Sequence, residues 1–337
     1  MKDVAVVILN WNGVSLLSEY LPEVLRCTPS DIAEVVVADN GSTDGSLAYL
    51  EGIDDVHVIK LEQNYGFAGG YNRAIAQLDH RYILLLNSDA RPTEGWLRPL
   101  YDLMEEDPQV VAAQPKILWE RQPECFEYAG ALGGYLDKWG YPFCRGRIFD
   151  TLEHDEGQYG EAPLEVFWTT GAAMMVRREA FVAAGGFDER YFAHQEEIDL
   201  CWRWQCTGYQ LRAVPTSVVY HLGGASLGAE NPRKTYLNFR NNLRMLYKLL
   251  PKRHLYTTLL WRFLLDHVAA IAFLCQGKWQ DAWAVVRADW TFICEPKARP
   301  TGLDRDRGYK QLYPYSLLWR YHIHGERYFS QLRSPQS

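Results

Sequence analysis

Disulfide chemistry is the first thing this sequence lacks. Its seven cysteines, at positions 27, 125, 144, 201, 206, 275 and 294, are odd in number and include no C-x-x-C pair. That excludes a disulfide framework and a thiolate zinc site, and points to reduced thiols in a cytoplasmic protein. A secretion signal is not expected either, since MKDVAVVILNWNG turns polar too early. The most apolar late stretch, 255–275, is interrupted by Arg262 and Asp266 four residues apart. A spanning helix is therefore not expected there; a packed amphipathic helix is, with a membrane-surface helix as the second reading. No base-reading motif appears, so nucleic acid is not an expected partner. Internal repeats and low-complexity segments are absent as well.

What is present is an ordinary globular composition of 337 residues, 47% apolar and 23% charged, sized for one large domain or one domain with an appendage. Charge is unevenly spread. Residues 1–230 hold 17 Lys/Arg against 35 Asp/Glu, a balance of −18, whereas 231–337 hold 18 against 7, a balance of +11. A basic tail of this kind suits an anionic surface such as lipid headgroups or diphosphates.

Four short β-branched runs, 4–9, 34–39, 56–61 and 82–87, alternate with helical stretches near 15–27, 44–51 and 67–78. Such runs read as strands buried on both faces of a mostly parallel α/β sheet. Residues 110–118 make a further strand, 120–165 read as loops or an irregular hairpin, and 168–226 form a second organised block. A basic helix is expected over 232–250, and helix continues to about 290. Each early strand runs into a polar or Gly-rich loop, and ligands in open α/β sheets sit beyond the carboxyl ends of strands. The loops should therefore converge on one crevice.

Within those loops the chemistry is specific. Asn10 and Asn12 carry amides suited to the edge of a nucleobase, and the helix that follows could be capped at Ser15. Asp39 can accept from a base or ribose, while Ser42, Thr43 or Asp44 cap a helix. The loop Asn64-Tyr-Gly-Phe-Ala-Gly-Gly opens a helix whose bare N-terminus favours a diphosphate, with Asn72 one to two turns in. Its G-x-x-G-G spacing is not the dinucleotide fingerprint, which disfavours a dehydrogenase. The absence of a basic Gly-rich loop after the first strand disfavours a nucleotidyltransferase. Asn87-Ser88-Asp89 ends an apolar strand, where a carboxylate can bridge Mg²⁺ or Mn²⁺ to a diphosphate. Glu196 and Glu197 begin a helix, and one of them can serve as a general base. Asp199 and Arg203 have the spacing of a structural ion pair. His221, closing a strand into the turn that runs to Ser226, can be a metal ligand or a phosphate contact, with a surface or capping histidine as the alternative.

Taken together and in this order, VVILNWNG, VVVADNGSTDGS, QNYGFAGGYNRAI, LLLNSDA, TGAAMMVRREAFVAAGGFDERYFAHQEEIDLCWR, HLGGAS and RNNLRMLYK resemble family 2 glycosyltransferases of the GT-A fold, in particular bacterial rhamnosyltransferase-like members. The resemblance covers about 4–250. It implies an α/β nucleotide-diphospho-sugar transferase domain over 1–250, divided into a donor half (1–115) and an acceptor and catalytic half (116–250). A helical, basic extension would follow over 251–337. Asn10, Asn12, Asp39, Asn64, Gly66, Asn72, Asn87 and Ser88 would line the donor site. Asp89 and His221 would hold Mg²⁺ or Mn²⁺, with Asn87 standing where the family has its first Asp. Trp168 and Gly171 would face the acceptor. Glu197 would be the base, where Asp is commoner in the family, with Glu196 the second choice. The implied reaction is inverting transfer of a sugar, rhamnose among the candidates, from a nucleoside-diphosphate donor to a glycan or lipid-linked hydroxyl in cell-surface polysaccharide synthesis. A non-catalytic sugar-nucleotide or glycan binding module is the rival. The Trp/Tyr-rich basic tail fits peripheral contact at the inner face of the cytoplasmic membrane, with a dimer-forming helix pair as the alternative.

Overall fold

The computed structural model describes residues 2–127, 130–223 and 231–332. Strands β1 (Val4–Asn10), β2 (Ala33–Asp39), β3 (Val56–Lys60) and β4 (Tyr82–Leu86) alternate with helices α1 (Val14–Cys27), α2 (Ser46–Leu50) and α3 (Gly66–Ile75). Next come β5 (Ala90–Pro92), α4 (Leu97–Glu106), β6 (Val110–Trp119) and β7 (Gln122–Phe126). A small sheet holds β8 (Gly134–Leu136), β9 (Pro142–Cys144), β10 (Arg147–Ile148) and β11 (Thr151–Leu152). The chain returns to the main sheet with β12 (Leu164–Glu165), β13 (Ala173–Arg177), α5 (Arg178–Ala183), α6 (Glu196–Thr207) and β14 (Gln210–His221). Helices α7 (Pro232–Leu249), α8 (Lys252–Cys275) and α9 (Trp279–Cys294) follow.

The main sheet has the order β12-β14-β6-β13-β4-β1-β2-β3. β1, β2, β3 and β4 pair in parallel, as do β6 and β14; β13 runs antiparallel between β4 and β6. The early strands are apolar throughout because both faces are covered. On β1, Val4, Val6 and Ile8 enter one core while Ala5 and Val7 enter the other. Each buried aliphatic side chain is worth about 1.5–3 kcal/mol. Over 120–165, where loops or an irregular hairpin were expected, the chain forms this small antiparallel sheet. Its strands are two or three residues long, too short to show an alternating pattern.

The helix expected over 255–275 is present as α8. By length and composition it is long and apolar enough to cross a membrane. The two charges within its apolar stretch do not interrupt an outer face. Arg262 and Asp266 pair at 3.1 Å with their side chains 3% and 0% exposed, and Arg262 also donates to the Trp139 carbonyl.

α7 positions the segment that carries the glutamates. Phe192, His194 and Gln195 lie in left-handed backbone conformations, with φ of 65°, 69° and 72°. Each costs about 1–3 kcal/mol unless its surroundings enforce it. Asn241 Nδ2 supplies that enforcement, lying 3.0, 2.9 and 2.8 Å from the carbonyls of Tyr191, Ala193 and His194. Asn242 donates to the Gly140 carbonyl and to Gln195 Oε1. Beside them, buried Asp199 bonds to Arg203 at 2.9 Å, Lys248 at 2.8 Å and the Tyr191 hydroxyl at 3.0 Å. The expected Asp199–Arg203 ion pair is thus structural.

Asn241→Ala should destabilise the protein by about 2–4 kcal/mol, the sum of lost hydrogen bonds and stranded carbonyls. Urea denaturation measures it; a loss below about 0.5 kcal/mol would show that the turn holds its own shape.

Candidate active site

The strand register brings the predicted loops together. Asn10 stands opposite Asp39, and Asp39 opposite Lys60, so β1, β2 and β3 end level. Asn10 is buried, and its Nδ2 donates to Asp39 Oδ2 at 3.0 Å and Ser42 Oγ at 3.2 Å. Asp39 Oδ1 accepts from the Ser42 N–H. Asn12, with φ of 50°, is exposed; its N–H donates to Ser42 Oγ and its Oδ1 accepts from the Thr43 N–H. Asp44, not Ser15, caps the helix. One carboxylate oxygen accepts from the Val14 N–H that opens α1, the other from the N–H and hydroxyl of Ser46 in α2.

The next loop corrects two expectations. Asn64 Oδ1 accepts from the Gly66 N–H and from Asn40 Nδ2, and the Phe67 and Ala68 N–H groups donate to the Phe192 carbonyl. The N-terminus of α3 is therefore already satisfied by protein and does not present bare amides to a diphosphate. Gly66 has φ of 74°, and a Cβ there would lie 2.7 Å from the Phe192 carbonyl oxygen. Asn72 is not brought to the crevice. Its amide donates to the Phe187 carbonyl at 2.8 Å and accepts from the Phe187 N–H at 2.9 Å, bracing a turn. Its position one turn along α3 points it at that turn.

Asn87, half-buried Ser88 and Asp89 follow β4, and β14 delivers His221 beside Ala90. His221 Nε2 lies 3.1 Å from both Asp89 Oδ1 and Asn87 Nδ2, and Nδ1 lies 3.2 Å from Glu127 Oε2. Residues 224–226 of that turn lie outside the described residues. Burial would lower the imidazole's pKa, but the two carboxylates outweigh it and raise it to about 10. Burial likewise opposes ionisation of Asp89, and the His221 contact overrides it, holding the carboxyl below its usual range. Two buried carboxylates share one imidazole, so the cluster stays net negative even when protonated. The Asp89 carboxylate and the Asn87 amide carbonyl are hard oxygen donors that fit Mg²⁺ or Mn²⁺, with the His221 imidazole a softer neighbour.

Glu196 and Glu197 open α6. Glu196 is buried, Glu197 half-buried, and Oε2 of each lacks a hydrogen-bond partner among the described residues. Burial, compounded by Glu197, pushes Glu196 well above the ordinary carboxylate range. Burial also raises Glu197, which neighbouring backbone N–H groups hold to about 7. A Cβ on Gly171 would lie 3.0 Å from the Phe67 ring and 3.9 Å from Glu197 Cβ, so this glycine lets the three segments meet. Trp168 does not join them. Its ring is buried against Gly134 and its indole N–H donates to the Tyr135 carbonyl.

A continuous line of contacts thus runs round the rim. It passes from Asn10, Asp39 and Ser42 through Asn40, Asn64 and Gly66 to Phe67. From there it crosses Gly171 to Glu197. Gly171's neighbour Ala172 accepts the Asn87 N–H at 2.9 Å, leading to Asp89, His221 and Glu127. Asn40, Glu127 and Asn241 were not singled out beforehand. Asn40 follows Asp39, and Asn241 sits in the Asn-Asn pair of a helix, a weak signal because Asn is a poor helix former. Glu127 has no local signal.

Residues 5–139 match the family described as "Glycosyl transferase family 2", and 82–292 match "Glycosyl transferase family group 2". The chain is 30% identical over 251 residues to "N-acetylglucosaminyl-diphospho-decaprenol L-rhamnosyltransferase" of Mycobacterium tuberculosis, covering 68% of this chain and 80% of that one. Among solved structures it is similar to the mannosyltransferase PcManGT of Pyrobaculum calidifontis in complex with GDP-Man and Mn²⁺. There the TM-score is 0.55 at 16% identity, over 87% of each chain. GalNAc-T7 with UDP, GalNAc and Mn²⁺ gives a TM-score of 0.57 at 17% identity, over 75% of this chain and 49% of that one. These structures share the GT-A fold, the mixed α/β sheet described above. The chain is a glycosyltransferase and belongs to glycosyl transferase family 2.

Proposed function

We propose that this enzyme moves a sugar from a nucleoside-diphosphate donor to a hydroxyl of a lipid-linked glycan acceptor, with inversion at the sugar C1, in building cell-surface polysaccharide. The lipid-linked acceptor is supported by the name of the mycobacterial relative. Cytoplasmic placement is supported by seven free cysteines, five of them buried. The observation that carries the reading is the pairing of half-buried Glu197 with the Asp89–His221 cluster, joined through Gly171 and Ala172.

In this reading Glu197 takes the proton from the acceptor hydroxyl. The acceptor oxygen forms its bond to C1 as the bond from C1 to the diphosphate breaks on the opposite face. The nucleoside diphosphate leaves with the bonding pair. Mg²⁺ or Mn²⁺ held by Asp89 and His221 would offset the charge on that leaving group. Asn10, Asn12 and Asp39 hold the nucleoside, Asn87 and Ser88 flank the diphosphate, and Gly171 leaves room for the acceptor. Glu196 is the less apt base, because burial and the neighbouring Glu197 disfavour its ionised form. A carboxylate poised near neutrality combines availability with basicity, which is what proton removal needs.

General base catalysis is typically worth about 10²–10⁴-fold. Glu197→Gln should slow single-turnover transfer to that extent, a barrier increase of about 3–5 kcal/mol, with donor binding retained. In the wild type the rate should rise with pH through about 7 as the carboxyl ionises. The folded-state pKa is raised, so ionisation costs stability as pH rises, and the neutral variant should melt at the same or a higher temperature. An unchanged rate would remove Glu197 as base.

The proton on His221 must leave before Nε2 can ligate a cation. Calorimetric Mn²⁺ affinity should therefore strengthen as pH rises towards 10, with proton release, and Asp89→Ala should abolish it. Affinity independent of pH would take His221 out of the metal site.

A further inference from the structure

Helices α8 and α9 carry apolar side chains on the outside as well as on the inside. On α8 the side chains turned inward include Arg262 and Asp266, while Tyr256, Leu260, Leu264, Val268 and Ile271 form a stripe on the outside at helical spacing. On α9 the inward residues include Asp289, and the outward stripe is Trp279, Trp283, Val286, Trp290 and Ile293. These are not marginal exposures: Tyr256 is 74%, Trp290 67% and Trp279 65% accessible. An apolar face of this extent on a soluble protein marks an interaction site.

We propose that this face docks on an anionic lipid bilayer, with both helices lying in the interface and their apolar stripes entering the headgroup–acyl boundary. Charge supports a lipid occupant. Between 252 and 297 every acidic residue is buried or half-buried, whereas Lys252, Arg253, Lys278, Arg287 and Lys297 are exposed. The segment 231–337 carries +11 against −18 for the remainder, so the chain is polarised towards an anionic surface. A second copy docking through the same face would set these cations against one another. The aromatic content points the same way, since Trp and Tyr place an apolar ring and a polar edge where a bilayer interface offers both. Spanning is a different matter. Leu255, Thr258, Leu259 and Ala270 pack inward with the Arg262–Asp266 pair, and drawing α8 through a bilayer would strip that pair from its protein surroundings.

The test is flotation of the full chain with vesicles of phosphatidylethanolamine and phosphatidylglycerol, beside phosphatidylcholine alone. The wild type should float with the anionic vesicles, less so at high salt. The Leu264→Glu/Trp283→Glu/Trp290→Glu variant should lose binding by roughly tenfold or more. Its melting temperature and Mn²⁺ affinity should stay those of the wild type, so a docking failure is distinguishable from failure of the transfer chemistry. Should the variant not fold, the wild type alone decides: brominated acyl chains should quench its tryptophan fluorescence. Absence of quenching, or a stable dimer in solution that the variant dissociates without any vesicle binding by the wild type, would overturn the proposal.

Discussion

One imidazole clamped between two carboxylates closes the crevice. His221 ends β14, Asp89 follows β4 and Glu127 follows β7, and the imidazole ties these three strand ends together. Burying two carboxylates together is costly unless positive charge lies between them. The clamp therefore needs a cation at its centre, and the protein supplies a protonated histidine. If a divalent ion takes its place when the donor binds, the same loops stay closed while the charge that holds them changes owner. Holding the clamp together and preparing the cation site are then one electrostatic arrangement.

The other side of the rim is built by strain. Three residues of unfavourable backbone, Phe192, His194 and Gln195, precede the glutamates, and α7 holds their segment with the amides of two asparagines. The result is a carboxyl set into a poorly solvated position at a helix start, lifted by burial and restrained by backbone N–H groups. That is a stability cost taken at the place where reactivity is needed. α7 also packs against α9, with Thr235 bonded to Asp281 and Arg244 to Glu295. One helix thus touches both the glutamate segment and the outward apolar hairpin.

Much of this was legible from local pattern. The unbroken apolar runs at 4–9 and 82–87 declare doubly covered strands, and polar strand ends declare the crevice. Asp39, Asp89, Glu197 and His221 stood out because each sits where a strand or helix terminates. Asn72 and Trp168 misled because spacing says which side chains follow a loop, not which way they turn; both are spent on protein backbone. The open amides expected at α3 are taken by the Phe192 carbonyl, a partner more than a hundred residues away that no local pattern reveals. Glu127 was invisible for the same reason. α8 forms where a helix was expected, but its charges carried no sign of facing inward, which is why the stretch did not read as long and apolar enough to cross a membrane.

The central claim is that the clamp of Asp89 and His221 is where the donor's diphosphate and a cation meet. Pulsed electron paramagnetic resonance of bound Mn²⁺ with a nucleoside diphosphate tests it most directly. Coupling to one imidazole nitrogen, lost in His221→Gln, together with coupling to phosphorus is the expected result. A Mn²⁺ signal showing only water protons, unaltered by the substitution, would contradict it.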